Sequence, residues 1–215
     1  MSENVNTKSA ASSEASGRAA QRSRTRQAII DATMRLVSAG QTPSVIEIAE
    51  AAQVSRRTIY MYFPTVEQLL IDATLGALTQ STVDPILAPA ASTDPVTRVE
   101  KLARAVNSHS SEVMHLGRAL IRLTVEGDAP AAGGPRRGYR RIQWIEQALA
   151  PVRTQLTRKE FERLVSALSV LIGWEPLIVL KDIRCLDDRQ IDDVLTFAVR
   201  AVVEKALADA KSRKR

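Results

Sequence analysis

Residues 44–63 read SVIEIAEAAQVSRRTIYMYF, and this stretch constrains the fold more than any other in the chain. Ser44 with Glu47 three residues on is a capping box: hydroxyl and carboxylate satisfy the first free N–H groups of a helix. Val45, Ile48, Ala49 and Ala52 recur at helical spacing, so one face of that helix is buried. Gln53-Val54 breaks the period. Ser55 then caps a second short helix, whose Ile59 and Phe63 lie four apart and turn back on the first. Its other face carries Arg56, Arg57, Thr58, Tyr60, Met61 and Tyr62. Guanidinium groups fork onto guanine edges or phosphates, and Thr and Tyr hydroxyls bond phosphate oxygens. A helix-turn-helix that sets its second helix in the major groove needs this division of faces. On an ordinary hairpin, two arginines are solvated surface charges. Their place at the start of the second helix, behind an arginine-rich segment, favours double-stranded DNA.

The same residues carry a family resemblance. AIIDA at 28–32, IAEAA at 48–52, VSRRTIYMYFP at 54–64 and EQLL at 67–70 have a spacing similar to that of the N-terminal domain of TetR/AcrR-family transcriptional regulators. The resemblance covers about residues 24–75. It implies a three-helix DNA-binding domain, a helical domain that binds an effector, and a homodimer on a palindromic operator. Arg56, Arg57, Thr58 and Met61 would face base edges, with Val45 and Ser55 beside them, while Ser44, Tyr60 and Tyr62 would hold phosphates. Two positions depart from the family habit. Ile46 stands where many members carry an arginine or another polar residue, and Val66 where a phosphate-binding lysine is common. That shifts weight onto the N-terminal arm.

The arm itself is legible. Residues 1–17 are rich in Ser, Ala, Asn and Glu and have almost no bulky apolar residue, so a disordered tail is expected. Arg18, Arg22, Arg24 and Arg26 follow with no acid among them, a pattern suited to phosphates or the minor groove. The net charge of +6 over 215 residues agrees with a polyanionic partner. Apolar content of 45% is ample for a core. A single cysteine, Cys185, excludes an intrachain disulfide and fits a reducing cytoplasm. No signal-peptide pattern opens the chain, and no apolar run approaches the ~20 residues of a spanning helix, so no membrane role is expected.

Taken in order, the chain reads as all-α with about nine helices. The DNA-binding domain with its arm occupies 18–64, the effector and dimerisation domain 65–210, and a basic tail 211–215. The first helix is expected over about 23–39, ended by Gly40. Thr65 with Gln68 caps a fourth, which in the family links the two domains mechanically. Pro85, Pro89 and Pro95 mark 83–96 as a connection. Helices at about 94–109, 111–126 and 139–152 follow, with GDAPAAGGPRRG at 127–138 as the most mobile interior loop. A long apolar helix runs from Thr157, capped by Glu160, through Leu180. A last one follows Asp187, capped by Gln190.

These last two helices are more apolar than cover for the others requires. The resemblance implies a dimeric four-helix bundle there, with Phe161, Leu164, Leu168, Leu171, Ile191, Val194, Ala198 and Val202 at the interface. It also implies an effector pocket, for which the candidates are Met114, His115, Arg118, Ile121, Arg122, Trp144, Trp174 and Glu175. A buried Glu175 would pair with Arg118 or Arg122, or hold a cationic ligand. No metal-ligand spacing or glycine-rich phosphate loop is present, so neither metal nor cofactor is expected. Catalysis by Cys185 with His109 or His115 is disfavoured, because the cysteine sits among acids. The expectation is a homodimeric regulator, most simply a repressor released by a small apolar or amphipathic molecule. The alternatives are a constitutive DNA-binding dimer and a degenerate helix-turn-helix that binds protein.

Overall fold

The computed structural model describes residues 6–88, 92–108 and 111–213, and all regular structure among them is helical. The chain divides into two compact units. The first comprises residues 1–74 with 127–134, the second 75–126 with 135–215.

In the first unit, α1 (Asn6–Ser38) begins well before the expected position and takes in most of the stretch expected to be disordered. The segment is free of proline, so no missing N–H or ring clash stops the helix from extending through it. The helix ends in a Schellman motif. Gly40, at φ 78°, donates to the Val37 carbonyl at 2.9 Å, and Gln41 to Leu36 at 3.2 Å. Then come α2 (Val45–Ala51) and α3 (Arg56–Tyr62), with the Ser44–Glu47 capping box and the Ser55 cap in place. The turn between them is a second Schellman motif. Gln53 N–H reaches the Glu50 carbonyl at 3.1 Å and Val54 N–H that of Ala49 at 3.0 Å. Gln53 takes the left-handed position at φ 54°, unusual for a residue with a side chain. Ile29, Ile30, Ile48, Ile59, Phe63 and Leu69 are fully buried and form the core, each worth roughly 1.5–3 kcal/mol.

α4 (Val66–Leu87) starts at the Thr65 cap, with its first half in the first unit and its second half in the other. It runs through Pro85, which was expected to end it. Proline there forfeits the one ladder hydrogen bond that its missing N–H would have made, and the helix ends soon after it. Pro89 lies outside the described residues. The second unit continues with α5 (Pro95–Asn107), α6 (Ser111–Glu126), α7 (Tyr139–Ala148), a 3-10 turn at Ala150–Gln155, α8 (Arg158–Leu171) and α9 (Trp174–Ile178). A π turn over Val179–Ile183 leads to α10 (Asp188–Arg213). The main core sets Val99 and Leu102 against Ile145, Leu149, Leu164, Leu168 and Val199. Buried Arg98 joins helix ends: its guanidinium donates to the Leu87, Gln147 and Ala148 carbonyls at 3.5, 3.2 and 3.2 Å. Those carbonyls lie at the negative ends of α4 and α7, where a cation is favoured.

The expected continuous helix from 157 to 180 is broken. Gly173, at φ 127°, separates α8 from α9, and the Asn107 amide bridges the gap. It accepts from Gly173 N–H at 2.8 Å and donates to the Leu171 carbonyl at 3.3 Å. Contrary to expectation, the stretch Arg158–Ile183 is long and apolar enough to cross a membrane by length and composition alone. It is interrupted at Gly173, and its Phe161, Leu164, Val165 and Leu168 lie in the main core. The expected basic tail is helical as far as Arg213, which pairs with Glu160 at 2.7 Å.

Candidate nucleic-acid interface

α3 separates its faces sharply. Ile59 is fully buried, Tyr62 is 7% exposed and Phe63 fully buried, while Arg56, Arg57, Tyr60 and Met61 are exposed. Both arginines occupy the first turn, where the helix dipole opposes a cation by roughly 0.3–1 kcal/mol, and no acid lies in that turn. A surface that breaks a local rule in this way is suited to an approaching polyanion. Thr58 is half-buried and its hydroxyl lies 2.8 Å from that of Ser55, whose oxygen also accepts Thr58 N–H at 3.0 Å. Val45 is half-buried at the start of α2.

Three of the expected DNA contacts are placed differently. Tyr62 points into the core, because a helix of seven residues turns every third or fourth side chain inward, and 62 follows 59. Arg26 is 4% exposed. Its guanidinium donates to the Tyr62 carbonyl at 3.0 Å and lies 5.1 Å from the centre of the Phe63 ring, so it anchors the end of α3. The Ser44 hydroxyl is committed to its helix, donating to Glu47 Oε2 at 2.7 Å. With the Ser44 N–H it holds the Glu47 carboxyl below the usual range. Arg18, Arg22 and Arg24 remain exposed along α1. Ile46, which the sequence marks only as a departure from the family habit, is 50% exposed on α2 and lines one shallow concavity with Ser55 and Arg56.

The loop at 127–138 was expected to be mobile, but its first part packs within the DNA-binding unit. Pro130 and Ala132 are buried, and Ala132 N–H donates to the Met61 carbonyl at 2.8 Å. Composition identifies a loop; it does not reveal that two of its residues find cover.

In the second unit, a cavity of about 280 Å³ lies among α5, α6, α9 and α10. Ala103, Met114, Leu177, Ile191 and Leu195 line it, with Arg104–Asp192 and Lys181–Asp188 ion pairs among its polar walls. Of the eight expected pocket residues only Met114 is among its lining. His115 and Arg122 are exposed and Ile121 half-buried. Arg118 forms a two-pronged pair with Asp182 at 2.6 Å for each bond, and Trp144 packs on the main core. Trp174 covers the Met114 cluster and lies so close to Gly117 that a Cβ there would enter its ring.

Glu175 pairs with neither Arg118 nor Arg122. Arg137 Nε reaches it at 2.9 Å and Arg141 at 2.7 Å. Burial opposes its ionisation, but the hydrogen bonds and charge of Arg141, with Arg137, hold its carboxyl down at about 2. Its partners lie in and after a glycine-rich loop, too irregular for helical periodicity to place them.

At the expected dimer face, Phe161, Leu164, Leu168 and Ile191 are buried within their own chain. Leu171 and Val202 pack beside the core, and Ala198 is half-buried. Val194 is exposed as expected, but the most exposed apolar residues there are Phe197 at 73% and Val170 at 68%. An apolar run shows that a helix is buried without showing which stripe faces its own core. Cys185 and His115 are both exposed, and His109 lies outside the described residues. Among the described residues, no group of three or more His, Cys, Asp or Glu is placed to hold a metal.

Residues 29–73 match the family model of bacterial regulatory proteins, tetR family. No curated protein matches the chain. The matched segment runs from the buried face of α1 through the first turns of α4, and so contains the whole helix-turn-helix.

Proposed function

We propose, from the match of residues 29–73 to the tetR family of bacterial regulatory proteins, that the chain is a DNA-binding transcriptional regulator, a cytoplasmic homodimeric repressor released by a small-molecule effector. The observation that carries the DNA-reading part is the sorting of α3: Arg56, Arg57, Tyr60 and Met61 outward, Ile59, Tyr62 and Phe63 inward. Bases are read by Arg56, Arg57 and Met61, with Tyr60 and the exposed arginines of α1 on phosphates.

Dimerisation is supported by the apolar outer stripe of α8 and α10, Val170 with Val194 and Phe197, and by the groove beside it between Ala167 and Ala201. Exposed in a lone chain, a phenyl ring and two valines are an aggregation hazard; covered by a second copy, they give the two-fold that a palindromic half-site pair requires. The effector is small and amphipathic. Its seat is the cavity at Met114, Leu177, Ile191 and Leu195, apolar in its depth and already charge-paired by Arg104–Asp192 and Lys181–Asp188. A ligand there needs no net charge. A constitutive dimer is the poorer reading, because that space is not filled by side chains.

Sedimentation and operator release test the proposal together. The wild type should sediment as a dimer, Phe197→Asp as a monomer, and only the dimer should bind a palindromic duplex tightly. A screen of small amphipathic molecules should yield one that releases the duplex from the wild type, and Leu177→Trp, which fills the cavity, should blunt that release. A monomeric wild type that binds the duplex as tightly would contradict the proposal.

A further inference from the structure

The surface assigned to DNA has an apolar component that phosphate contacts and guanine-reading arginines do not use. Ile46 is 50% exposed and Met61 42%, although neighbouring Ile48 and Ile59 are fully buried. Ile46 is the second residue of α2, and its side chain shares one concavity with Ser55 and Arg56 at the helix-turn-helix junction. Glu50, one turn further along α2, and Gln53 line the same concavity. The Glu50 carboxylate disfavours a phosphate on its side of the concavity, while Arg56 lines the other. Among the groups that a major groove presents, the one that rewards an aliphatic side chain is the C5-methyl of thymine.

We propose that Ile46 and Met61 read thymine methyl groups, so that each operator half-site carries thymines beside the base pairs read by Arg56 and Arg57. The inference rests on the DNA-binding proposal and names the base chemistry of that site. Position 46 thereby acts as a specificity determinant through shape and apolar contact, where a basic residue would select for charge or for guanine. Met61 is well suited to the same task. Its unbranched thioether adapts to a methyl group, while its own carbonyl is fixed by Ala132 N–H at 2.8 Å.

The test begins with duplexes selected by the purified full-length protein from a random pool. In the best duplex, each thymine is replaced singly by deoxyuridine, which removes only the methyl group. At one or two positions per half-site the wild type should lose about three- to five-fold in affinity per methyl, the equivalent of one buried carbon. Ile46→Ala should bind the parent duplex more weakly and be indifferent to deoxyuridine at one of those positions. Because Ile46 is exposed, that variant should melt with the wild type. Deoxyuridine tolerated at every position, with selective binding intact, would overturn the inference and leave the DNA-binding proposal standing. Failure to select any duplex would overturn both.

Discussion

Ala132, in the connection between α6 and α7, donates its backbone N–H to the carbonyl of Met61 at 2.8 Å. Met61 is the penultimate residue of α3, whose last carbonyls have no partner within the helix. The next carbonyl, that of Tyr62, is taken by the Arg26 guanidinium at 3.0 Å. The C-terminal end of α3 is therefore held by two tertiary caps, one from α1 and one from a segment distant in sequence. Ala132→Pro removes the donor and should cost at least about 1 kcal/mol in the first unit. Operator affinity should fall with it, as measured by duplex binding alongside thermal unfolding. Unchanged melting and binding would show that this cap is dispensable.

Arg26 and its neighbours on α1 should behave oppositely. Arg26→Met removes a buried charged hydrogen bond and the packing on the Phe63 ring, and should destabilise the protein by about 2–3 kcal/mol without changing the salt dependence of DNA binding. Arg22→Ala with Arg24→Ala should leave melting unchanged and lower the slope of log K against log salt by about one for each phosphate no longer neutralised. Thermal melts and a salt series on the same preparations separate the two roles.

Gln53 holds the left-handed position of the turn between α2 and α3 at φ 54°. A side chain there costs on the order of 1 kcal/mol that glycine does not. Gln53→Gly should therefore be neutral or raise stability by up to about 1 kcal/mol in chemical denaturation, despite glycine's greater freedom when unfolded. Clear destabilisation would mean that the Gln53 side chain contributes more than the strain removes.

The Glu175 carboxyl is held at about 2 in the folded chain by Arg141 and Arg137. Its ordinary value lies higher, so its contribution to stability is present above about pH 4.5 and is lost as pH falls towards 2. With the side chain one-third exposed (33%), the loss should be on the order of 2 kcal/mol rather than the full linkage value. Glu175→Gln should be less stable at neutral pH and flatter across that acid range. Parallel acid-unfolding curves for the two proteins would contradict this assignment.

Much of this architecture is legible in the sequence because it is local. The Ser44–Glu47, Thr157–Glu160 and Asp187–Gln190 caps sit where their spacing put them. So do Ile59 and Phe63 on the buried side of α3, where Tyr62 joins them against expectation. Long-range facts were not legible. Neither periodicity nor composition shows that Arg26 turns inward onto Phe63, that Glu175 meets Arg137 and Arg141, or that Ala132 caps a helix far earlier in the chain. Most of the apolar positions expected at a dimer face turn inward for a related reason. Phe161, Leu164 and Leu168 are the more regular apolar positions because they face the chain's own core, whereas Val170 and Phe197 fall off that stripe. The helical start of α1 is not legible either, because a stretch without periodic apolar residues carries no helical signature.

Sequence reading in double-stranded DNA is the role proposed for α3. Its most direct test is the fluorescence polarisation of labelled upstream or selected duplex with the full-length protein, at several salt concentrations and in excess random competitor DNA. Saturable binding that survives the competitor is expected, with a loss of about 1–3 kcal/mol for Arg57→Ala and no change in its oligomeric state. Binding abolished by the competitor, or an Arg57→Ala variant that binds as well as the wild type, would contradict it.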